Sequence, residues 1–310
     1  MLLDMRDAFF EELVIRAKQN PNIMILSADH GAFALEEFAL NYPNQYINIG
    51  IAEQNMVGVA AGLALSGKIV FVYGIAPFVS LRVLEQVAVD IALMQLPVNI
   101  VSVGAGFTYS TDGPTHQGLL DLNAISSIPN ISILNSSDPL NTKEFINLSL
   151  TSLKPHYIRI EKEKLAVMQR LNSIDNAMKN GYSLIFEKQE SQLLLLSSGF
   201  LSNLISEMIT DQEFLELNSF DFIDIHQFNP VSIAFLEKIK KYKKILIFEE
   251  SNKFIHTQLI KYVNEMIPNV KTISVDSASE KVFLGSSRKD MLETFGFSKS
   301  IILKEIRGSV

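Results

Sequence analysis

One carboxylate stands at the mouth of an apolar helical pattern. Between Asn48 and Gly67 the chain reads NIGIAEQNMVGVAAGLALSG, with Glu53 opening a run of Met56, Val57, Ala60, Ala61 and Leu63 interleaved with Gly58 and Gly62. A glutamate in a first turn is favoured by the helix dipole alone. The run behind it adds a second reason for its presence, because the helix reads as buried on most sides, with glycines that admit close approach of other backbone. Such a helix holds its first carboxylate in low dielectric, where sharing a proton is less unfavourable. Glu53 is therefore expected to be the seat of chemistry.

A second candidate is the loop Gly104 to Gly118, GAGFTYSTDGPTHQG, which follows an apolar run. In open α/β sheets ligands gather beyond the carboxyl ends of strands, and here Asp112, Thr115 and His116 surround a sharp Gly113-Pro114 turn. An ordinary Asp-Gly-Pro turn with an exposed histidine fits the same residues. In APFVSLRVLEQV, Phe78 and Leu81 fit a plain core, and Arg82 with Glu85 a solvated helical pair. The five histidines, His30, His116, His156, His226 and His256, show no i, i+4 pairing of the kind metal sites use. There is no cysteine, so disulfides, thiolate metal sites and cysteine nucleophiles are excluded together.

Positioning these residues requires a layered scaffold. Short β-branched runs at Ile23–Ala28, Ile69–Tyr73, Val98–Val103, Ile131–Leu134 and His156–Ile160 alternate with helical patterns at Leu3–Gln19, Glu53–Leu65, Leu81–Met94, Leu119–Ser127 and Pro139–Leu153. That alternation predicts an α/β fold with a mostly parallel sheet flanked by helices. The order breaks down into polar residues between Met168 and Gln192, then resumes with strands at Leu193–Ser197, Phe222–Ile225, Ile245–Phe248 and Val270–Val275. The expected organisation is a first domain over residues 1–172, a linker over 173–192 and a second, smaller α/β domain over 193–310. Ser197, Ser198 and Gly199 fit either an anion cradle at a helix start or a tight turn.

Composition narrows the classes of function. The chain has 310 residues, 47% of them hydrophobic and 20% charged, enough to bury a sizeable core. A net charge of −7 without a clustered basic, aromatic face argues against nucleic acid as a partner. The most apolar stretch, Met56 to Val79, is broken by Ser66, Gly67 and Lys68, so it reads as helix, turn and strand rather than a membrane span. The first residues, MLLDMRDAFFEELVIRAKQN, are acidic and amphipathic, unlike a secretory leader, and zero cysteine suits a reducing cytoplasm. A cytoplasmic enzyme is expected.

The ordered set of SAD at Ser27–Asp29, GIAEQNMVGVAAGLA, R-x-x-E-Q-V at Arg82–Val87, DGPTHQ at Asp112–Gln117 and the S-x-P-N of Ser127 to Asn130 resembles the C-terminal half of the transketolase family of thiamine-diphosphate enzymes. That family includes 1-deoxyxylulose-5-phosphate synthase and stand-alone transketolase C-subunits. The resemblance spans nearly the whole chain, implying a pyrimidine-binding domain followed by the small C-terminal domain. It implies that Glu53 hydrogen-bonds N1′ of the cofactor's aminopyrimidine, favouring the imino tautomer that generates the thiazolium ylid. It implies that Asp29, Ile51, Phe78 and Arg82 lie at the cofactor, Phe78 by stacking, with Tyr73 or Phe107 as alternatives. His116 matches a proton-shuttling histidine beside the substrate oxygens, Asp112 a residue binding a donor or acceptor hydroxyl, and Arg159 one facing the acceptor's phosphate or carboxylate.

Four departures qualify what the family implies. No Gly-Asp-Gly followed by Asn occurs, the signature that in the family binds Mg²⁺ and the diphosphate, so the resemblance implies a separate N-terminal subunit carrying that site. The expected assembly is a dimer or heterotetramer with the cofactor across a subunit interface and a small sugar as substrate. The position twelve residues before His116, where transketolases carry a phosphate-contacting histidine, is Gly104. Ser110 and Thr111 stand where a small-acidic pair is usual, and the glycines common after Glu-Glu in the second domain are missing from EESNKFIHTQL. The changes at Gly104 and at Ser110 with Thr111 point away from a common pentose phosphate, and the missing glycines bear only on the surface of the second domain. A β-subunit of a 2-oxoacid dehydrogenase, a deoxyxylulose-phosphate-synthase-like enzyme and a non-catalytic regulatory α/β protein are the alternatives.

Overall fold

The computed structural model describes residues 3–188, 190–217, 220–263 and 269–309. Its larger sheet has seven strands in the order Gln227–Phe228, Ser132–Asn135, His156–Ile160, Val98–Val103, Ile69–Ile75, Ile23–Ser27 and Tyr46–Asn48, all parallel except the first. Continuous burial along Ile23–Ser27, Val98–Val103 and His156–Ile160 explains their unbroken apolar runs, since helices cover both faces of a parallel sheet. Helices Met5–Gln19 and Pro139–Ser152 pack on one face around Phe9, Phe10, Leu13, Phe145 and Ile146. Helix Glu53–Leu65 lies on the other, with Met56, Val57, Ala60 and Ala61 turned inward.

The second sheet runs Asn269–Ser274, Lys244–Glu249, Leu193–Ser197, Phe220–Ile225 and Tyr182–Phe186. Four strands are parallel, and the last is antiparallel to its neighbour. The segment 173–192 is thus not a linker. It forms helix Ile174–Asn180, capped by Ser173, and the edge strand Tyr182–Phe186. That strand buries only alternate residues, so its pattern is broken by polar positions and sinks into the polar sequence around it.

The two domains also interlock. Gln227–Phe228 leaves the second domain to add an antiparallel edge to the first sheet, opposite Leu134 and Ile133. Asn229 Nδ2 then donates to the carbonyls of Ile128 and Ile131, both at 2.9 Å. A helix Phe33–Asn41 and the edge strand Tyr46–Asn48 were not expected from the sequence pattern. In the second domain a helix runs over Phe254–Val263. Among the described residues, no helix is long and apolar enough to cross a membrane.

Candidate active site

Four loops meet beyond the carboxyl ends of the first sheet, and Glu53 stands at their centre. Its side chain is 2% exposed although it opens its helix, and Ala52 before it supplies no side-chain cap. Arg82 donates from Nη1 to Glu53 Oε2 at 2.7 Å. Among the described residues Oε1 has no partner. Gln54 Nε2 holds the Arg82 carbonyl at 3.1 Å, so the first turn of one helix fixes both the guanidinium and the backbone of Arg82. The helix itself is less enclosed than its composition suggests. Gly58 and Gly62 face open space, and a Cβ added at either meets nothing within 4 Å, so these glycines do not serve close backbone approach within this chain.

Arg82 links Glu53 to two further expected residues. Its Cζ lies 4.2 Å from the centroid of the Phe78 ring, and that ring meets the imidazole of His116 edge-on at 5.2 Å. Phe78 is half-buried, whereas Tyr73 and Phe107, the alternative aromatics, are sealed in the core at 2% and 0% exposure and cannot present a face to a ligand. Past Arg82 the chain continues as a short helix, Leu84–Gln86, and then a wide π turn, Val87–Ala92. An open groove of about 530 Å³ runs beside Arg82 between Gln54, Gln86, Ser127 and Pro129, so the S-x-P-N segment borders the site from the far side.

The histidine loop is pinched shut at its base. Gly106 and Gly118 exchange two backbone hydrogen bonds of 3.0 Å, and a Cβ at Gly118 would lie 2.6 Å from the Gly104 carbonyl oxygen, so only glycine closes this loop. Asp112 ends a 3-10 turn, Ser110–Asp112, and points into solvent. Gly113 follows at φ +80°, and His116 N donates to its carbonyl at 3.0 Å. Thr115 Oγ1 and His116 Nδ1 are 3.0 Å apart. The Tyr109 ring covers Gly104, which sits at φ +95°, so a Cβ there would fall 2.4 Å from the ring and a larger residue would have to displace Tyr109. Burial raises the Tyr109 hydroxyl above its usual pKa.

Asp29 and Ile51 stand at the rim. Asp29 is exposed with φ 56°, and Ile51 is 78% exposed, a large apolar side chain with nothing of its own chain to cover it. One residue unforeseen in the sequence ties the two turns together. Asn48 Oδ1 accepts from the backbone of Asp29 at 3.1 Å and of Gly50 at 2.9 Å. His30, also unforeseen, is half-buried beside these groups, with its ring 6.3 Å from that of Tyr73. Burial lowers the His30 pKa, the carboxylates of Glu53 and Asp29 oppose that shift, and His116 adds to it. The signals were SADH after a strand and an Asn two residues before a positive-φ Gly50.

Arg159 does not reach the opening, contrary to expectation. At 4% exposure its Nε donates to Asp121 Oδ2 at 2.8 Å, and its other nitrogens reach Gly118 O and Asn135 Oδ1. Each of its three nitrogens is engaged within the chain. Tyr157 hydroxyl also donates to Asp121 Oδ2 at 2.8 Å. Ser197, Ser198 and Gly199 likewise form a domain contact and not an anion cradle. Gly199 N donates to Ser137 Oγ at 2.9 Å, and Asn135 Nδ2 to Ser198 Oγ at 2.7 Å.

The second domain braces the histidine loop. Glu250 Oε1 accepts from Phe107 N at 2.8 Å, and Arg288 Nη2 bridges Glu250 Oε2 at 2.7 Å and Glu161 Oε2 at 2.8 Å. Gln117 Nε2 reaches the Val282 carbonyl at 3.4 Å. Together the arrangement offers a dry carboxylate with one open oxygen, an aromatic face and a partly exposed imidazole at a common opening.

A protein-family model described as the pyrimidine-binding domain of transketolase matches residues 2–168. The chain is 38% identical over 156 residues to an apulose-4-phosphate transketolase subunit of Phocaeicola vulgatus, an alignment covering 50% of each chain. It is 30% identical over 254 residues to a transketolase C-terminal section of Methanocaldococcus jannaschii, covering 81% of this chain and 78% of that one. A solved structure described as a split gene transketolase, inactive beta4 tetramer, superposes with a TM-score of 0.83 at 24% identity, covering 99% of this chain and 98% of that one. The match to the Phocaeicola relative spans about half of that relative's length.

Proposed function

The chain belongs to the transketolase pyrimidine-binding domain family, and from that premise we propose that it is the C-terminal-type subunit of a split, thiamine-diphosphate-dependent ketol transferase. The observation that carries this reading is Glu53: buried at a helix start, held at Oε2 by Arg82 and open at Oε1, with Phe78 and His116 in contact around it. An acceptor oxygen in a dry site beside a half-exposed aromatic ring fits an aminopyrimidine, a flat group with an edge nitrogen that can carry a proton. When bound, the cofactor supplies a carbon nucleophile that can store charge from a carbonyl donor.

This chain's residues have separable duties. Glu53 Oε1 holds a proton at the ring nitrogen N1′, and Arg82 keeps the carboxylate in the required rotamer. Phe78 offers the stacking face, with Asp29 and Ile51 closing the rim. His116 moves a proton to and from a substrate oxygen, as an imidazole can near neutral pH. Asp112, exposed on the same loop, accepts a hydrogen bond from a sugar hydroxyl. Arg159 is not assigned to the substrate.

Diphosphate and Mg²⁺ are placed on a partner. Among the described residues no group of three or more His, Asp or Glu is arranged to hold a metal, and the sequence carries no Gly-Asp-Gly signature. The exposed face of Ile51, Gly58, Gly62, Leu65, Val89 and Leu93 is proposed to be covered by protein in a dimer or heterotetramer, in the cytoplasm. A ketose donor and an aldose acceptor are the proposed substrates, with neither nucleic acid nor membrane as a partner. The test is reconstitution. The purified chain with thiamine diphosphate and Mg²⁺ is expected to give negligible ketol transfer, and adding an N-terminal-type transketolase subunit to restore it. Robust transfer by the chain alone would overturn the split arrangement, and decarboxylation of 2-oxoacids without ketol transfer would favour the dehydrogenase alternative.

A further inference from the structure

Of the five histidines, four have a hydrogen-bonding partner within the chain. His116 meets Thr115, His156 meets Asn99 and Ser152, His226 meets the Ala177 carbonyl, and His256 meets Thr272. His30 has none among the described residues, although it is half-buried. An imidazole open on one side and unpaired among the described residues keeps its nitrogens for a ligand or solvent. Its ring is instead set by packing, edge-on to Tyr73 at 6.3 Å, on a turn that Asn48 fixes through Asp29 N. The charged and titratable groups facing it come from three separate loops: Asp29 from its own, Glu53 from the helix start and His116 from the pinched loop.

We propose that His30 is a second substrate-contacting histidine, facing His116 across the same opening, where it binds a sugar hydroxyl and takes its proton. The inference rests on the ketol-transfer reading above. In that reaction a carbon–carbon bond beside a hydroxyl must break. The hydroxyl proton passes to a ring nitrogen of His30, the oxygen pair forms the new carbonyl, and the electron pair of the broken bond stays with the retained carbon. Condensation with an acceptor aldehyde runs the same steps backwards and returns the proton to the new hydroxyl. Burial keeps the imidazole neutral, so a nitrogen is available to accept. Two imidazoles let one oxygen be protonated while another is deprotonated, which a single group cannot do at once.

The test uses the complex reconstituted with its N-terminal-type partner, 1,3-dihydroxyacetone as the smallest hydroxyketone donor and glycolaldehyde as acceptor. Three quantities are measured for the wild type, His30→Ala and His30→Asn: thiamine diphosphate affinity by calorimetry, exchange of the thiazolium C2 proton with deuterium, and donor turnover. Both substitutions are expected to leave affinity and exchange within twofold while lowering kcat about 10²-fold, the usual range for a positioned acid–base group. His30→Asn is expected to recover KM but not kcat, because an amide replaces the hydrogen bond and not the proton acceptor. The asparagine variant also serves if the alanine variant does not fold. Turnover unchanged in both variants, with exchange intact, would overturn the inference and leave the cofactor reading standing. Affinity or exchange falling in step with turnover would overturn it in favour of a role at the cofactor. Absence of C2 exchange in the wild-type complex would remove the cofactor reading and this inference with it.

Discussion

Glu53 and Glu250 both follow parallel strands, and both are nearly out of water, at 2% and 7% exposure. They differ in what their oxygens do. Glu250 is saturated, with Phe107 N at 2.8 Å and Arg288 Nη2 at 2.7 Å, and it carries no open valence. Glu53 is held on one oxygen only. The carboxyl ends of the two sheets have thus been put to different uses, the first as an opening where groups converge and the second as a clamp on the first. Burial of a carboxylate marks neither role by itself; the unspent oxygen at an opening separates them.

The sharpest way to break this contrast is to neutralise each carboxylate site in turn. Glu53→Gln keeps the volume and the contact with Arg82, and it is expected to lower ketol transfer by the complex by about 10²- to 10⁴-fold with the melting temperature unchanged. Steady-state kinetics beside a thermal scan decides it, and a variant within tenfold of the wild type would move Glu53 into the structural class. Arg288→Ala should do the reverse. It strands Glu161 and Glu250 without their counter-charge, so urea unfolding is expected to show a loss of about 3–5 kcal/mol, with activity falling only as the histidine loop loses its brace. Full stability in that variant would mean that the clamp is not what holds the domains together.

A finer contrast lies in pH. His156 of the first domain is buried against Asn99 and its pKa is lowered to about 4, chiefly by burial. Its stabilising contribution is complete above its ordinary value near 6.5 and is lost as pH falls toward 4, a change of about 3 kcal/mol. Glu249 of the second domain is raised to about 7 by burial, so its contribution is complete below about 4.5 and is lost as pH rises through 7, by a similar amount. The two oppose one another between these limits. In denaturant unfolding from pH 4.5 to 8, Glu249→Gln is expected to leave stability rising with pH on the acid side, and His156→Gln to leave it falling there. Parallel profiles in both variants would show that neither buried group governs the response.

What was legible in the sequence follows the same division. Glu53 stood out as a carboxylate opening an apolar helical run and His116 as part of a polar loop after a strand, whereas Phe78 and Arg82 read as core and solvated pair until the resemblance put them at the cofactor. The parallel strands were legible because burial on both faces makes them continuous. Tyr182–Phe186 was not, since an edge strand buried on alternate residues gives only a weak signal among polar neighbours. Gln227–Phe228 was beyond reach, because two residues carry no period and their pairing is decided by the other domain. Arg159 was put at the substrate by the resemblance alone, and its internal acceptors, Asp121 and Asn135, lie too far off in sequence to have corrected that. His30 was passed over because a lone histidine has no spacing to test; only the fold reveals that none of the described residues pairs with it.

The π turn at Val87–Ala92 has a consequence for how this chain can vary. Such a turn winds more residues than an α turn, so the helix carries length in reserve just downstream of Arg82. Losing a single residue there would rewind it to ordinary pitch and leave the residues on either side close to their present register. Arg82 would then keep its carboxylate, so relatives one residue shorter at this point should hold their glutamate in the same way.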